Sequence, residues 1–90
     1  MLTIVSTSRF QKDVKLALRR GKELKKLEAV ILLLANRSSL PANLRDHSLS
    51  GEWAHHRECH IAPDWLLIYK IQEDEIFLVR TGTHSDLFAK

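Results

Sequence analysis

Trp65-Leu66-Leu67-Ile68-Tyr69 is an unbroken apolar run, preceded by Ala62-Pro63-Asp64 and followed shortly by Gln72-Glu73-Asp74. Turn chemistry on both flanks and the shortness of the run predict a strand buried on both faces. Ile76 to Thr81, rich in β-branched and aromatic residues, predicts its hairpin partner. Trp53 to Ile61 predicts a preceding strand of more polar character. Upstream the apolar period changes. Leu2, Ile4 and Val5 read as a short strand, and Ser8 with Gln11 reads as a capping box. Phe10, Val14, Ala17 and Leu18 fall on one helical stripe, which Gly21 ends. Leu24, Leu27, Ile31 and Leu34 form the stripe of a second helix from about Lys22 to Asn36. The short connection makes the two helices a hairpin. Arg37 to Gly51 predicts a long loop, a common place for function in a small domain. Gly82 to Phe88 predicts an irregular tail or a single helical turn. The fold class is therefore α+β: a strand, a helical hairpin, then an antiparallel meander packed on the helices.

A chain of 90 residues and 10.4 kDa has room for one small core, so residues 1–90 are expected to form a single domain. The composition, 44% hydrophobic and 28% charged, argues against disorder and fibrous classes. The longest apolar run, Ala29 to Ala35, is too short to span a bilayer, and Met-Leu-Thr-Ile-Val at the start lacks the basic region of a signal peptide. The single cysteine, Cys59, can form neither an internal disulfide nor a multi-cysteine zinc site. A cytoplasmic location and no membrane partner are expected.

Charge is unevenly placed. Residues 1–45 hold ten Lys/Arg against three Asp/Glu, and residues 46–90 hold four against eight. Lys12, Lys15, Arg19, Arg20, Lys22, Lys25 and Lys26 are expected on the solvent side of the hairpin, where they suit RNA phosphates or simply solvate the helices. All five histidines lie in the second half. His47, His60, Asp64, Arg80 and His84 sit at strand ends or in loops and combine proton donors and acceptors with a fixed cation. Metal binding is the weaker use of this inventory: on a strand His56 and His60 share a face but lie roughly 13 Å apart. Cys59 reads as a small buried hydrophobe. Metal-free RNA cleavage needs this set. One group deprotonates the 2′-hydroxyl, another protonates the departing 5′-oxygen, and an arginine fork steadies the phosphoryl oxygens. No phosphate loop, nucleophile elbow or dinucleotide fingerprint is present in the sequence.

Three segments carry a resemblance. Asp46-His47-Ser48-Leu49-Ser50-Gly51-Glu52-Trp53, Arg57-Glu58-Cys59-His60-Ile61-Ala62-Pro63-Asp64-Trp65-Leu66-Leu67-Ile68-Tyr69 and Arg80-Thr81-Gly82-Thr83-His84-Ser85-Asp86-Leu87-Phe88 together resemble the YafQ branch of the RelE superfamily of bacterial type II toxins. The likeness extends to Lys12-Asp13-Val14-Lys15. It implies a β-α-α-β-β-β core, a twisted antiparallel sheet on a helical hairpin, and ribosome-dependent cleavage of mRNA without metal or other cofactor. It also implies a small antitoxin partner whose complex with the toxin binds operator DNA. By that resemblance His47, His60, Asp64 and His84 match the acid-base set, and Arg80 matches the arginine on the scissile phosphate. Trp65 and Phe88 match aromatic positions tied to activity, through base stacking or by shaping the site; core packing is an equal reading for Trp65. Two rivals stand beside this expectation. One is a non-catalytic module that binds RNA or an antitoxin and acts as a co-repressor. The other is a metal-free ribonuclease that needs no ribosome.

Overall fold

The computed structural model describes residues 1–88. Its strands are β1 (Thr3–Ser6), β2 (His47–Ser48), β3 (Arg57–Ala62), β4 (Trp65–Gln72) and β5 (Glu75–Gly82). Its helices are α1 (Ser8–Arg19), α2 (Leu24–Ala35) and the single turn α3 (His84–Phe88), and 3₁₀ turns cover Ala42–Leu44 and Gly51–Trp53. The sheet order is β1-β5-β4-β3-β2.

β3, β4 and β5 form the expected antiparallel meander. Three details differ from the sequence reading. β1 joins the open edge of β5 in parallel, so the sheet is mixed. A parallel neighbour requires a long crossover, and the helical hairpin begins that crossover. The loop before Gly51 contains a fifth short strand, β2, paired with Arg57 and Glu58. The strand expected over Trp53 to Ile61 starts only at Arg57, because Gly51–Trp53 coils into a 3₁₀ turn and His55 takes a left-handed φ of 70°.

β4 is buried on both faces, as its apolar run requires. Trp65, Leu67 and Tyr69 join Leu2, Phe10, Ala17, Leu27, Val30, Leu34, Ile61, Ile76 and Leu78 on the hairpin side. Leu66 and Ile68 pack with Leu87 on the opposite side, among partly buried Leu49, Trp53, Val79 and Phe88. Each fully buried large side chain contributes about 1.5–3 kcal/mol. Cys59 is sealed in the larger core, and burial pushes its thiol up to about 12, so it packs as a hydrophobe. The α1 stripe departs from expectation at one place: Leu18 is exposed, and Asp13 is buried instead.

The helix ends follow local chemistry. Thr7, rather than Ser8, caps α1, its hydroxyl accepting from the Phe10 N–H at 3.0 Å. Gln11 turns back to the Ser6 backbone and hydroxyl. At the other end Lys22 N bonds Ala17 O and Gly21 N bonds Leu18 O, the paired bonds of a Schellman stop. Gly21 supplies the left-handed residue with φ 80°. No atom lies within 4 Å of a Cβ built there. Gly21→Ala is therefore expected to cost only conformational strain, about 1 kcal/mol, in urea denaturation with activity retained. A loss of several kcal/mol would mean that the turn packs against something the structure leaves apart.

Candidate active site

The C-terminal turn is built by its own side chains. The Thr83 hydroxyl accepts from Asp86 N at 3.1 Å and Asp86 Oδ2 accepts from Thr83 N at 2.9 Å, a reciprocal capping box. His84 is thereby fixed as the first residue of α3. Asp64, in the β3–β4 turn, accepts from both the His84 backbone N–H, at 3.0 Å, and its Nδ1, at 2.7 Å. These hydrogen bonds, the backbone one foremost, hold the Asp64 carboxyl below the usual range. With Nδ1 donating to Asp64, Nε2 is left for chemistry. His84 and Asp64 are both exposed to solvent. The His84 ring lies 5.7 Å from the His60 ring and 6.5 Å from Phe88.

Behind His60 stands Glu58, a residue to which the sequence reading gave no role. It is 4% exposed. Its Oε1 lies 3.5 Å from His47 Nε2 and 3.8 Å from His60 Nε2, while Oε2 has no hydrogen-bond partner among the described residues. His47 is oriented from its other side, with Nδ1 2.6 Å from the Arg45 carbonyl. That nitrogen is the donor there, so Nε2 completes its contact with Glu58 only when it too carries a proton. Glu58 and His60 are two apart on β3 and so share a face. That much is readable in sequence. That β2 lays His47 directly opposite Glu58 is not.

Arg80 stands apart from this network. Its Nε donates to Asp13 Oδ2 at 2.7 Å and its Nη2 to Asp13 Oδ1 at 3.3 Å. Asp13 Oδ2 also accepts the Thr81 backbone N–H at 3.1 Å. Both side chains are largely buried, at 14% and 9% exposed. The fork expected to wait for phosphate is thus already engaged by a carboxylate of α1. Trp65 requires a firmer correction. It is 2% exposed in the larger core, with Nε1 donating to Thr81 Oγ1 at 2.9 Å, so its ring cannot stack on a base and it packs in the core. Phe88, half-buried beside His84, keeps a place at the site.

Lys12, Lys15, Arg19, Lys25 and Lys26 are exposed, as expected, and Lys22 is half-buried, near enough to Asp64 to favour its charged form. Arg20 differs: it is exposed, but it pairs with Asp86 through Nη1 at 2.6 Å and Nη2 at 3.3 Å, so its charge is largely offset within the molecule. Among the described residues, no group of three or more His, Cys, Asp or Glu side chains is disposed to hold a metal ion. No helix of the described residues is long and apolar enough to cross a membrane.

Residues 2–89 match the family described as bacterial toxin of type II toxin-antitoxin system, YafQ. The chain belongs to the YafQ toxin family. It is 45% identical over 83 residues to the mRNA interferase toxin YafQ of Escherichia coli K12, spanning 91% of this chain and 90% of that one. The fold is similar to a metal-bound toxin from Helicobacter pylori, with 44% identity, a TM-score of 0.92 and coverage of 98% and 100%. It is also similar to YafQ in the E. coli DinJ-YafQ complex, with 43% identity, a TM-score of 0.90 and coverage of 98% and 99%. In this chain His47 and His60 face the buried Glu58, and the His60 ring neighbours His84, which Asp64 holds; Arg80 and Trp65 lie on the side of the hairpin.

Arg20 and the Thr83 N–H hold Asp86 down to about 2, against an ordinary value near 4. The stability that Asp86 contributes is therefore complete above about pH 4 and is lost as pH falls toward 2. Thermal melts of wild type and Asp86→Asn are expected to differ above pH 4 and to converge as pH falls through that window. Curves that run parallel would show that the ion pair does not anchor α3.

Proposed function

We propose that this chain is a ribosome-dependent mRNA endonuclease that cleaves by metal-independent acid-base transfer and is held off by a cognate antitoxin in the cytoplasm. The observation that carries the reading is the run of neighbours His47, Glu58, His60, His84 and Asp64, in which Glu58 is buried, the His60 and His84 rings stand 5.7 Å apart, and His84 and Asp64 are open to solvent. Of His84 and His60, one takes the proton of the ribose 2′-hydroxyl as its oxygen attacks the adjacent phosphorus. The other gives a proton to the departing 5′-oxygen, leaving a 2′,3′-cyclic phosphate and a free 5′-hydroxyl. A separation of 5.7 Å between their ring centroids supports both acting on one phosphate. Asp64 fixes the His84 ring and stabilises the imidazolium form, as a carboxylate does in a triad. Glu58 faces His47 and His60 and orients both rings, and whichever of them carries a second proton meets the gathering charge of the phosphoryl oxygens.

Arg80 presents its remaining N–H groups to the phosphate while Asp13 keeps the guanidinium in plane. Phe88 offers a face to a neighbouring base. Lys12, Lys15, Arg19 and Lys25, clear of the site on the outer surface of the hairpin, meet ribosomal RNA phosphates. The name of the E. coli relative as an mRNA interferase and its complex with DinJ support the substrate and the partner. We extend the reading to an antitoxin complex that binds operator DNA, as the sequence resemblance implies. The rival reading, a binding module without cleavage, draws on one observation: Arg80 is already paired.

Primer extension on a reporter mRNA with purified ribosomes decides between them. Wild type is expected to cut with or without a chelator, and His84→Gln to lose about 10²–10⁴-fold while folding normally. Full cleavage by His84→Gln would remove that residue from the chemistry. Absence of any cleavage by wild type would leave the binding module. Arg80→Lys retains charge without the fork, so a clear drop in kcat is expected along with about 1–3 kcal/mol of stability from the weakened Asp13 bonds. Unchanged kcat with lowered stability would assign Arg80 to the fold alone.

A further inference from the structure

A groove of about 530 Å³ opens beside His60, between Lys26 of α2, the turn carrying Asn43, Leu44 and Arg45, and Pro63 at the end of β3. It follows the outer edge of β3, where β2 has already ended: β2 pairs only with Arg57 and Glu58. We propose that this groove is a nucleotide subsite, holding the residue of the substrate RNA next to the scissile phosphate. The proposal rests on the ribonuclease reading above and adds where the neighbouring nucleotide binds.

The lining supplies each kind of contact that a nucleotide needs. Lys26 and Arg45 are exposed cations, and no acidic residue lines the groove. Lys26 has one competing partner, exposed Glu23 at 3.6 Å, a weak surface pair that a phosphate readily replaces. Leu44 and Pro63 offer apolar surface to the flat face of a base. Asn43 carries a donor and an acceptor on one exposed amide, the combination that reads a base edge in single-stranded RNA. The volume is within the range of small-ligand sites.

The groove is also joined to the acid-base network at two points. His60 forms part of its wall. Arg45, at a left-handed φ of 51°, sets its carbonyl 2.6 Å from His47 Nδ1 and also lines the groove. A nucleotide seated there therefore touches His60 directly and grips the residue that orients His47. Occupancy of the groove and alignment of the histidines are expected to rise together, so that base identity in the groove alters cleavage rate.

The test uses the full chain carrying His84→Gln, titrated with a 2′-O-methyl RNA trinucleotide and followed by amide NMR. Shifts are expected at Asn43, Leu44, Arg45 and Ala62. Adding Lys26→Ala and Arg45→Ala is expected to weaken binding about tenfold and to lower the salt slope by about 0.7 per charge removed. In ribosome reactions with His84 intact, Asn43→Ala is expected to redistribute the cleaved codons, and Lys26→Ala to raise KM more than it lowers kcat. Shifts confined to the histidine network overturn the subsite, as does an unchanged codon distribution. A hexaglutamate peptide that moves the groove amides when the trinucleotide does not would assign the groove to a protein partner and overturn it too. Trinucleotide bound in the groove of a chain that cuts nothing supports the subsite and fails the nuclease reading; cleavage without groove binding does the reverse.

Discussion

Leu66 and Ile68 lie fully buried on the side of β4 that the helical hairpin does not cover. Water must be kept from that face as well, and among the described residues only the single helical turn α3 and loop side chains lie over it. The cover comes from Leu49 and Trp53 of the loop before β3, and from Leu87 and Phe88 of α3. The loop that brings Leu49 also carries His47, and the turn that brings Leu87 also carries His84. Burial of a two-sided strand thus draws together the segments on which the candidate acid-base groups reside. The cover is small and leaves the adjoining polar groups open to solvent, which suits a surface that must receive a polymer.

The end of β5 poses a second problem with a common solution. β1 accompanies β5 only as far as Leu78, so the backbone N–H groups beyond lack a strand partner on that edge. Three aspartates supply acceptors. Asp13 takes Thr81 N, Asp86 takes Thr83 N and Asp64 takes His84 N. Each also holds a cationic or ionisable side chain: Arg80, Arg20 and His84 respectively. A carboxylate has enough lone pairs for both duties, and backbone hydrogen bonds fix its position more firmly than a salt bridge between two flexible side chains would. Gly82 lies inside this arrangement, where a Cβ would come within 2.9 Å of Asp86 Oδ2. The segment Thr81 to Asp86 is therefore constrained at nearly every residue, although it is short and exposes His84 and Ser85.

Glu58 shows why a candidate site can be half readable. A buried carboxylate with one oxygen unpartnered among the described residues is costly unless cationic groups face it. The imidazoles of His47 and His60 lie 3.5 Å and 3.8 Å from Oε1 and are cationic only when protonated. In sequence, Glu58 and His60 at spacing two on a strand already share a face, yet an acidic residue amid a polar strand carries no mark of burial. Asp13 was hidden in the same way: on a helical wheel it borders the stripe of Phe10, Val14 and Ala17, and charge assigns it to solvent. Only the approach of β5 turns that position inward. Arg20 and Leu18 are the converse, residues whose surroundings depend on how α1 is rotated over the sheet.

The sequence by itself determined the main elements and their class, though not β2 or the start of β3, because period and turn chemistry are local: the apolar run of β4, the helical stripes, Gly21 as a stop and the motif order Asp46-His47, His60 to Asp64, Arg80 to His84. It also named the histidines, since proton-transfer groups in loops are conspicuous by type. Tertiary structure alone decided that β1 pairs in parallel with β5, that His47 opposes Glu58, that Arg80 is paired with Asp13 and that Trp65 faces the core. These depend on which strand edges and helix faces meet across the sheet. That choice is made by the summed burial of distant side chains, and no spacing along the chain records it.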